Sequence, residues 1–124
     1  MNRQASILLI DDDPAHLQIY RMIVETAGFR GLPVLVSMRG LEFPPNEPVD
    51  AVLLDYRLAP NISATDVAKR VRQQYPSAPI VLLSDVYDAP PDIAPLVQGF
   101  VRKGNPALLL TTLRELTRPR DKEI

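Results

Sequence analysis

The sequence has no cysteine, and positive and negative charges nearly cancel in it. The missing thiols exclude disulfides, thiolate metal sites and cysteine nucleophiles, and such a composition suits a reducing cytosol. The 14 Lys and Arg residues against 15 Asp and Glu residues leave a net charge of −1. This balance provides no electrostatic attraction for nucleic acid or an anionic membrane. We therefore expect a cytoplasmic protein that recognises its partners locally and does not contact nucleic acid directly.

Long hydrophobic runs are also missing. The first largely apolar run, residues 6–10, meets three aspartates, and no stretch approaches the roughly 18 apolar residues of a membrane span. The length of 124 residues predicts a single compact domain. We assign this domain to residues 1–118 and a charged tail to residues 119–124. An output domain, if the protein uses one, is expected outside this chain.

Short, continuous apolar runs recur along the chain and predict buried strands. Unbroken hydrophobicity is typical of strands covered on both faces of a parallel sheet. The predicted strands are residues 6–10, 32–37, 51–54, 80–84 and 99–101.

The segments between the strands contain helix signals of unequal strength. Helices are predicted from Pro14 to just before Gly28, over residues 65–75, and from Pro106 to just before Pro119. The connections 38–48 and 85–98 contain three prolines each, so their helices should be short or absent. The alternation predicts a flavodoxin-like, doubly wound α/β fold whose five-stranded parallel sheet has the order 2-1-3-4-5.

Polar residues end the predicted strands, at the edge where such sheets bind ligands. Clustered carboxylates repel one another unless a cation neutralises them, and oxygen ligands without sulfur suit Mg²⁺. With a metal present, one carboxylate can act as the nucleophile of phosphoryl transfer. Asp55 stands singly at the end of a central strand and is therefore the better candidate for the nucleophile. The acidic pair Asp11 and Asp12 is suited to hold the metal. The residues concerned are Asp11, Asp12, Asp55, Ser84 and Lys103.

The segments ILLIDDDPAHL, VDAVLLDYRL, IVLLS and GFVRK occur in the order and near the spacing of one known family. On these motifs the chain resembles the receiver domains of two-component response regulators over nearly its whole length. The resemblance implies that Asp11 and Asp12 hold Mg²⁺ and that Asp55 is both phosphoacceptor and metal ligand. It also implies that Ser84 is the switch hydroxyl and Lys103 the phosphate-binding lysine.

Two further roles follow from the same resemblance. The backbone carbonyl of Arg57 would complete the metal site, and Phe100 would be an aromatic rotamer switch. The implied partners are a sensor histidine kinase or phosphotransfer protein and a downstream effector or output domain. The implied chemistry is confined to self-phosphorylation and autodephosphorylation, so the chain is not expected to be an enzyme.

The sequence departs from the family pattern at several places. The loop after Asp55 contains Ala59 and Pro60 and no glycine, Asp85 replaces the usual small residue after the switch hydroxyl, and Gly104 replaces the usual proline after the lysine. The interval from Ser84 to Lys103 is also short, which agrees with a stunted fourth helix. These differences leave open a pseudo-receiver, a protein-binding module that acts without phosphorylation.

Simpler interpretations accompany each assignment. Asp11 and Asp12 could only cap a helix, Lys103 could be a surface charge, and Phe100 could be a core residue. His16 is interpreted as exposed, and neither as a metal ligand nor as a phosphodonor. A phosphatase-like hydrolase is a weaker alternative, because Arg57 stands where a second general-acid aspartate would be needed. Consecutive leucines on the last helix suggest a homodimer through the last strand and helix.

Overall fold

The fold is built on one five-stranded parallel sheet. The structure is a computed structural model that describes residues 4–86 and 88–118. In this part of the chain the strands are β1 (Ser6–Asp11), β2 (Arg30–Leu35), β3 (Ala51–Asp55), β4 (Ile80–Ser84) and β5 (Gly99–Arg102). Their order is β2-β1-β3-β4-β5, so the predicted flavodoxin-like topology is confirmed.

The helices begin at local capping signals. They are α1 (Pro14–Thr26), α2 (Ala64–Gln74) and α3 (Pro106–Thr117). The side chains of Asp13, Ser63 and Asn105 cap them by accepting hydrogen bonds from backbone N–H groups of the first turn. Because proline is tolerated at the first helical position, Pro14 and Pro106 begin their helices without loss of an internal hydrogen bond.

The two proline-rich connections lack full helices, as predicted. Between β2 and β3 the chain forms no helix, and three partly buried side chains of this loop pack on the core instead: Leu41, Phe43 and Val49. Between β4 and β5 the described residues form one 3₁₀ turn, Ala94–Leu96, anchored by the fully buried Ile93.

Two apolar layers enclose the sheet. One lies under α2 and the β2–β3 loop, and the other lies under α1 and α3. Strands β1, β3 and β4 are buried at every position, which explains their unbroken apolar sequence.

Strand β2 begins two residues earlier than predicted, at Arg30 instead of residue 32. Its register is set by pairing with β1, in which Arg30 lies opposite Ser6. A charged residue is tolerated there because β2 is an edge strand, and the Arg30 side chain pairs with Glu47 at 2.8 Å. The predicted tail 119–124 lies outside the described residues, and no helix in the described part is long and apolar enough to cross a membrane.

Candidate functional site

Two buried carboxylates meet at the carboxyl edge of the sheet. Asp11 ends β1 and Asp55 ends the neighbouring β3, and their exposed fractions are 0% and 2%. Oδ1 of Asp11 accepts hydrogen bonds from the backbone N–H groups of Asp12 and Asp13, at 2.6 and 3.2 Å. Oδ1 of Asp55 accepts one from the backbone N–H of Arg57 at 2.8 Å. The turns that follow the two strands therefore hold both carboxylates in place.

The second oxygen of each carboxylate has no hydrogen-bond donor within the described residues. Oδ2 of Asp55 lies 3.2 Å from Nζ of Lys103, and Oδ2 of Asp11 lies 3.3 Å from Nδ1 of His16. Buried polar atoms without hydrogen bonds are rare in folded proteins and often mark a functional or ion-binding site. The two Oδ2 atoms are therefore available to a cation or a reacting group.

Burial and the neighbouring carboxylate change the acid–base behaviour of Asp11. Burial, followed by interaction with Asp55, raises the pKa of Asp11 from 3.8 to about 7. Burial also raises the pKa of the Tyr20 hydroxyl, and the negative charges of Asp55 and Asp11 raise it further. Burial is the larger cause of both shifts, and the neighbouring carboxylates add to it, so a cation beside Asp11 and Asp55 would offset an unfavourable charge.

The donor set fits a divalent metal ion. One ligand atom from each of Asp11, His16 and Asp55 lies within 4.8 Å of the others. Asp12 is not in this group, although its backbone N–H contacts Asp11. The metal-binding roles of Asp12 and of the Arg57 carbonyl stay predictions.

Strand β4 and the segment after β5 complete the site. Ser84 ends β4 with 1% exposure, and its Oγ accepts a hydrogen bond from the backbone N–H of Val86 at 3.2 Å. The backbone N–H of Lys103 donates to the Ser84 carbonyl at 2.8 Å, which fixes the lysine beside Asp55. The predicted approach of Lys103 to Asp55 is therefore present in the structure, while the roles assigned to Ser84 and Lys103 stay predictions.

The residues that depart from the family pattern have structural explanations. The Asp85 side chain, half exposed, pairs with the Arg57 guanidinium through an Nε–Oδ1 distance of 3.3 Å. This pair joins the loops after β3 and β4 and partly neutralises the added charge. Gly104 has a φ of 86°, which proline cannot adopt, so the segment after Lys103 takes a different path from a Lys-Pro segment.

Phe100 lies on β5, partly buried, and packs against the core layer under α2. This position agrees with the simpler interpretation as a core residue, and its role as a rotamer switch stays a prediction.

His16 also borders this site, where the sequence pattern predicts no role for it. It was expected to be exposed and uninvolved, and 46% of its side chain is indeed exposed, but its inner nitrogen faces Asp11. The signal was its position as the third residue of a helix that begins three residues after a strand-end aspartate. A ring at that position can turn back toward the end of the strand.

The fold and the site together define a doubly wound α/β domain with a buried acidic pocket and a lysine at the carboxyl edge of its sheet. The family described as the response regulator receiver domain matches residues 7–104. The chain belongs to this family.

Solved structures agree with this assignment at the level of the fold. A response regulator receiver domain from Methylobacillus flagellatus has a TM-score of 0.75 at 20% identity, covering 92% of this chain and 99% of that one. One from Clostridium thermocellum has a TM-score of 0.75 at 23% identity, with 91% and 94% covered. The response regulator TrrA from Thermotoga maritima, in complex with Mg²⁺-BeF, has a TM-score of 0.71 at 21% identity, with 91% and 99% covered. A comparison with curated protein sequences gives no match.

Proposed function

We propose that this domain accepts a phosphoryl group on Asp55 and transmits the change to a partner-binding surface. The observation that supports this most strongly is the state of the Asp55 carboxylate. Oδ1 is held by a backbone N–H, whereas Oδ2 accepts no hydrogen bond from the described residues and lies 3.2 Å from Lys103 Nζ. A carboxylate with one oxygen positioned and the other available is arranged to act as a nucleophile.

In the proposed step, Oδ2 of Asp55 attacks the phosphorus of the donor. A carboxyl O–P bond forms while the P–N bond of a phosphohistidine, or the P–O bond of an acyl phosphate, breaks. The electron pair of the broken bond leaves with the donor group. Lys103 binds the phosphoryl oxygens as their negative charge approaches Asp55, because its ammonium is already within ion-pair distance.

A divalent cation, Mg²⁺ in our prediction, would be held by Asp11 and Asp55, with Asp12 and the Arg57 carbonyl as the further predicted ligands. When bound, such an ion neutralises phosphoryl charge and draws the reacting oxygens together. The buried Oδ2 atoms of Asp11 and Asp55 support this assignment, because they lack hydrogen bonds within the described residues. The similarity to TrrA, a receiver in complex with Mg²⁺-BeF, supports it as well.

The switch itself would use β4, which adjoins the strand of Asp55, and β5 beyond it. Ser84 at the end of β4 would turn its hydroxyl to the phosphoryl group, giving up the hydrogen bond from Val86. Phe100 on β5 would then occupy a more buried position, since it already lies against the core. The movements of Ser84 and Phe100 would thereby change the surface formed by β5 and the adjoining loops.

The predicted partners follow from this chemistry. The donor would be a sensor histidine kinase or a phosphotransfer protein in the cytoplasm, and the reader would be an effector or output domain outside this chain. The domain would turn over no metabolite. A homodimer through β5 and α3 is a further prediction, checked by sedimentation velocity with and without acetyl phosphate; an unchanged monomer under both conditions would argue against it.

The test is intact mass spectrometry after incubation with acetyl phosphate and Mg²⁺. We expect the native chain to gain the mass of one phosphoryl group and the Asp55→Asn variant to gain none. Asp88→Asn is a matched control, because it removes an exposed carboxylate outside the site. Equal labelling of native chain and Asp55→Asn would show that the acceptor is another residue.

A second candidate is the phosphorylation-independent pseudo-receiver. The observation that favours it is the Arg57–Asp85 ion pair, which ties together the loops on either side of the proposed phosphoryl position. If this pair keeps the site closed, the native chain gains no phosphoryl mass and Asp85→Ala gains one. If the native chain and Asp85→Ala were labelled at equal rates, the Arg57–Asp85 ion pair would no longer support a pseudo-receiver.

A further inference from the structure

We propose that His16 is a metal ligand of the acidic site, and that its imidazole nitrogen makes the site prefer divalent transition-metal ions over Mg²⁺. This inference rests on the proposed function, because the cation would occupy the site that serves Asp55. It concerns a ligand that neither the strand-end pattern nor the family resemblance assigns.

The distances suit a single bound ion. Nδ1 of His16 lies 3.3 Å from Oδ2 of Asp11, and the ligand atoms of Asp11, His16 and Asp55 are all within 4.8 Å of one another. With metal–ligand bonds of about 2.1 Å, neighbouring ligands are separated by about 3.0 Å in an octahedral site and by about 3.4 Å in a tetrahedral one. The His16–Asp11 separation falls within this interval, so small movements would complete the coordination.

A second observation points to a ligand independently of the acidic cluster. Oδ2 of Asp11 and Oδ2 of Asp55 belong to side chains that are at least 98% buried, and neither atom accepts a hydrogen bond from the described residues. A buried carboxylate oxygen without a donor is costly unless a cation lies beside it. Oδ2 of Asp55 has the Lys103 ammonium at 3.2 Å, whereas Oδ2 of Asp11 has the His16 imidazole at 3.3 Å, so the Asp11 atom makes the stronger case for a bound cation. One carboxylate oxygen of Asp11 and one of Asp55 lie within 4.8 Å of a His16 ring nitrogen.

The orientation of the imidazole ring favours coordination. Its outer nitrogen, Nε2, lies 3.6 Å from Oδ2 of Asp13, while Nδ1 is directed to Asp11. A carboxylate beside the outer nitrogen stabilises the tautomer that carries its proton there, which leaves the lone pair on the inner nitrogen. Carboxylate–histidine–metal arrangements of this kind are common in metalloproteins. Asp13 would thus position the ligand while also capping α1.

The chemistry of the donor atoms then determines the preference. Mg²⁺ binds oxygen ligands and retains several waters, so an imidazole adds little to its binding. Later divalent transition-metal ions such as Co²⁺ and Ni²⁺ bind imidazole nitrogen more strongly, whereas Mn²⁺ prefers oxygen ligands and serves here as a spectroscopic probe. Two carboxylates with one imidazole therefore form a mixed site in which the nitrogen provides the selectivity.

The experiment compares the full native chain with His16→Ala, and with Met22→Ala as a control on the exposed part of the same helix. Electron spin-echo spectroscopy of bound Mn²⁺ detects directly coordinated imidazole nitrogen. Because the protein has one histidine, any imidazole signal belongs to His16. Calorimetric titrations with Co²⁺ and Mg²⁺ then measure the preference.

We expect an imidazole signal in the native chain and in Met22→Ala, and none in His16→Ala. The Co²⁺ affinity should fall by about tenfold or more in His16→Ala, while the Mg²⁺ affinity stays within about twofold. Bound Mn²⁺ without imidazole modulation, or equal losses for Co²⁺ and Mg²⁺, would overturn the inference and leave phosphorylation of Asp55 untouched. A native chain that binds none of the three ions would overturn the inference together with the metal-assisted step, and labelling of Asp55 by acetyl phosphate would separate the two.

Discussion

Asp11 has the most unfavourable electrostatic surroundings of the site residues. Its carboxylate is fully buried, lies beside that of Asp55, and has one oxygen without a hydrogen-bond donor in the described part of the chain. Such a group destabilises the metal-free fold when it is ionised. Its presence is therefore better explained by a ligand than by a contribution to folding.

Replacing Asp11 with Asn should stabilise the metal-free protein. The amide can still accept the hydrogen bonds from Asp12 and Asp13 through its oxygen, and its NH₂ group can donate to the Asp55 carboxylate. We expect the free energy of unfolding at pH 8 to increase by about 2 kcal/mol, the size of a hydrogen bond to a charged group. Urea unfolding in the presence of a chelator measures it.

The same variant should lose the stabilisation that the native chain gains on adding Mg²⁺, because a bound ion stabilises the fold through its ligands. Asp88→Asn, which changes an exposed aspartate, should behave like the native chain in both respects. A lower stability of metal-free Asp11→Asn would show that the ionised carboxylate is favourable where it lies.

At the level of elements, the end of α2 depends on one side chain. The Arg72 guanidinium donates to the Ala78 carbonyl at 2.7 Å and to Oε1 of Gln98 at 2.8 Å. The same Oε1 accepts from the backbone N–H of Ile80. Arg72 therefore connects α2, the start of β4 and the residue before β5.

Arg72→Ala should destabilise the fold by about 2 kcal/mol, because it leaves several carbonyl groups without a donor. Lys69→Ala, an exposed position on the same helix, should change the stability by less than about 0.5 kcal/mol. Urea midpoints for the two variants provide the comparison. Equal effects would mean that the hydrogen bonds of Arg72 are replaced by water without cost.

The segment between β5 and α3 depends on Gly104. A Cβ at this position would meet nothing within 4 Å, so the only obstacle to a side chain is the φ of 86°. We expect Gly104→Ala to lose about 1 kcal/mol of unfolding free energy, and Gly104→Asn to lose less because Asn tolerates left-handed backbone. Thermal unfolding of both variants tests this, and a larger loss for Asn would point to a steric cause.

At the scale of the whole molecule, stability should depend on pH through the buried carboxyl group of Asp11. The folded chain keeps a proton on Asp11 up to a pKa of about 7, whereas the unfolded chain releases it near 3.8. Between these values the folded state binds more protons, so the stability that this proton provides is complete below about pH 4 and is lost as the pH rises to about 7.

The measurement is the free energy of unfolding of the metal-free native chain across this range, relative to Asp11→Asn. Relative to Asp11→Asn, the native chain should lose free energy of unfolding as the pH increases. In saturating Mg²⁺ the native chain should instead become more stable relative to Asp11→Asn as the pH increases, because metal binding requires the ionised carboxylate. A pH-independent difference would mean that Asp11 titrates in the folded chain as it does in the unfolded one.

Local patterns in the sequence by themselves determined most of the fold. The apolar runs located β1, β3, β4 and β5, because buried central strands have an unbroken hydrophobic sequence. Prolines and capping residues located the beginnings of α1 and α3, and clustered prolines removed two helices. The parallel order then brought Asp11, Asp55 and Lys103 to one edge, since the carboxyl ends of parallel strands lie together.

The tertiary structure decided what depends on contacts between distant segments. It placed the start of β2 at Arg30, because pairing with β1 sets the register of an edge strand. It directed His16 to Asp11, paired Arg57 with Asp85, and joined Arg72 to the segments before β4 and β5. No periodicity encodes these directions, because a side chain's partner depends on where separate loops and helices meet in space.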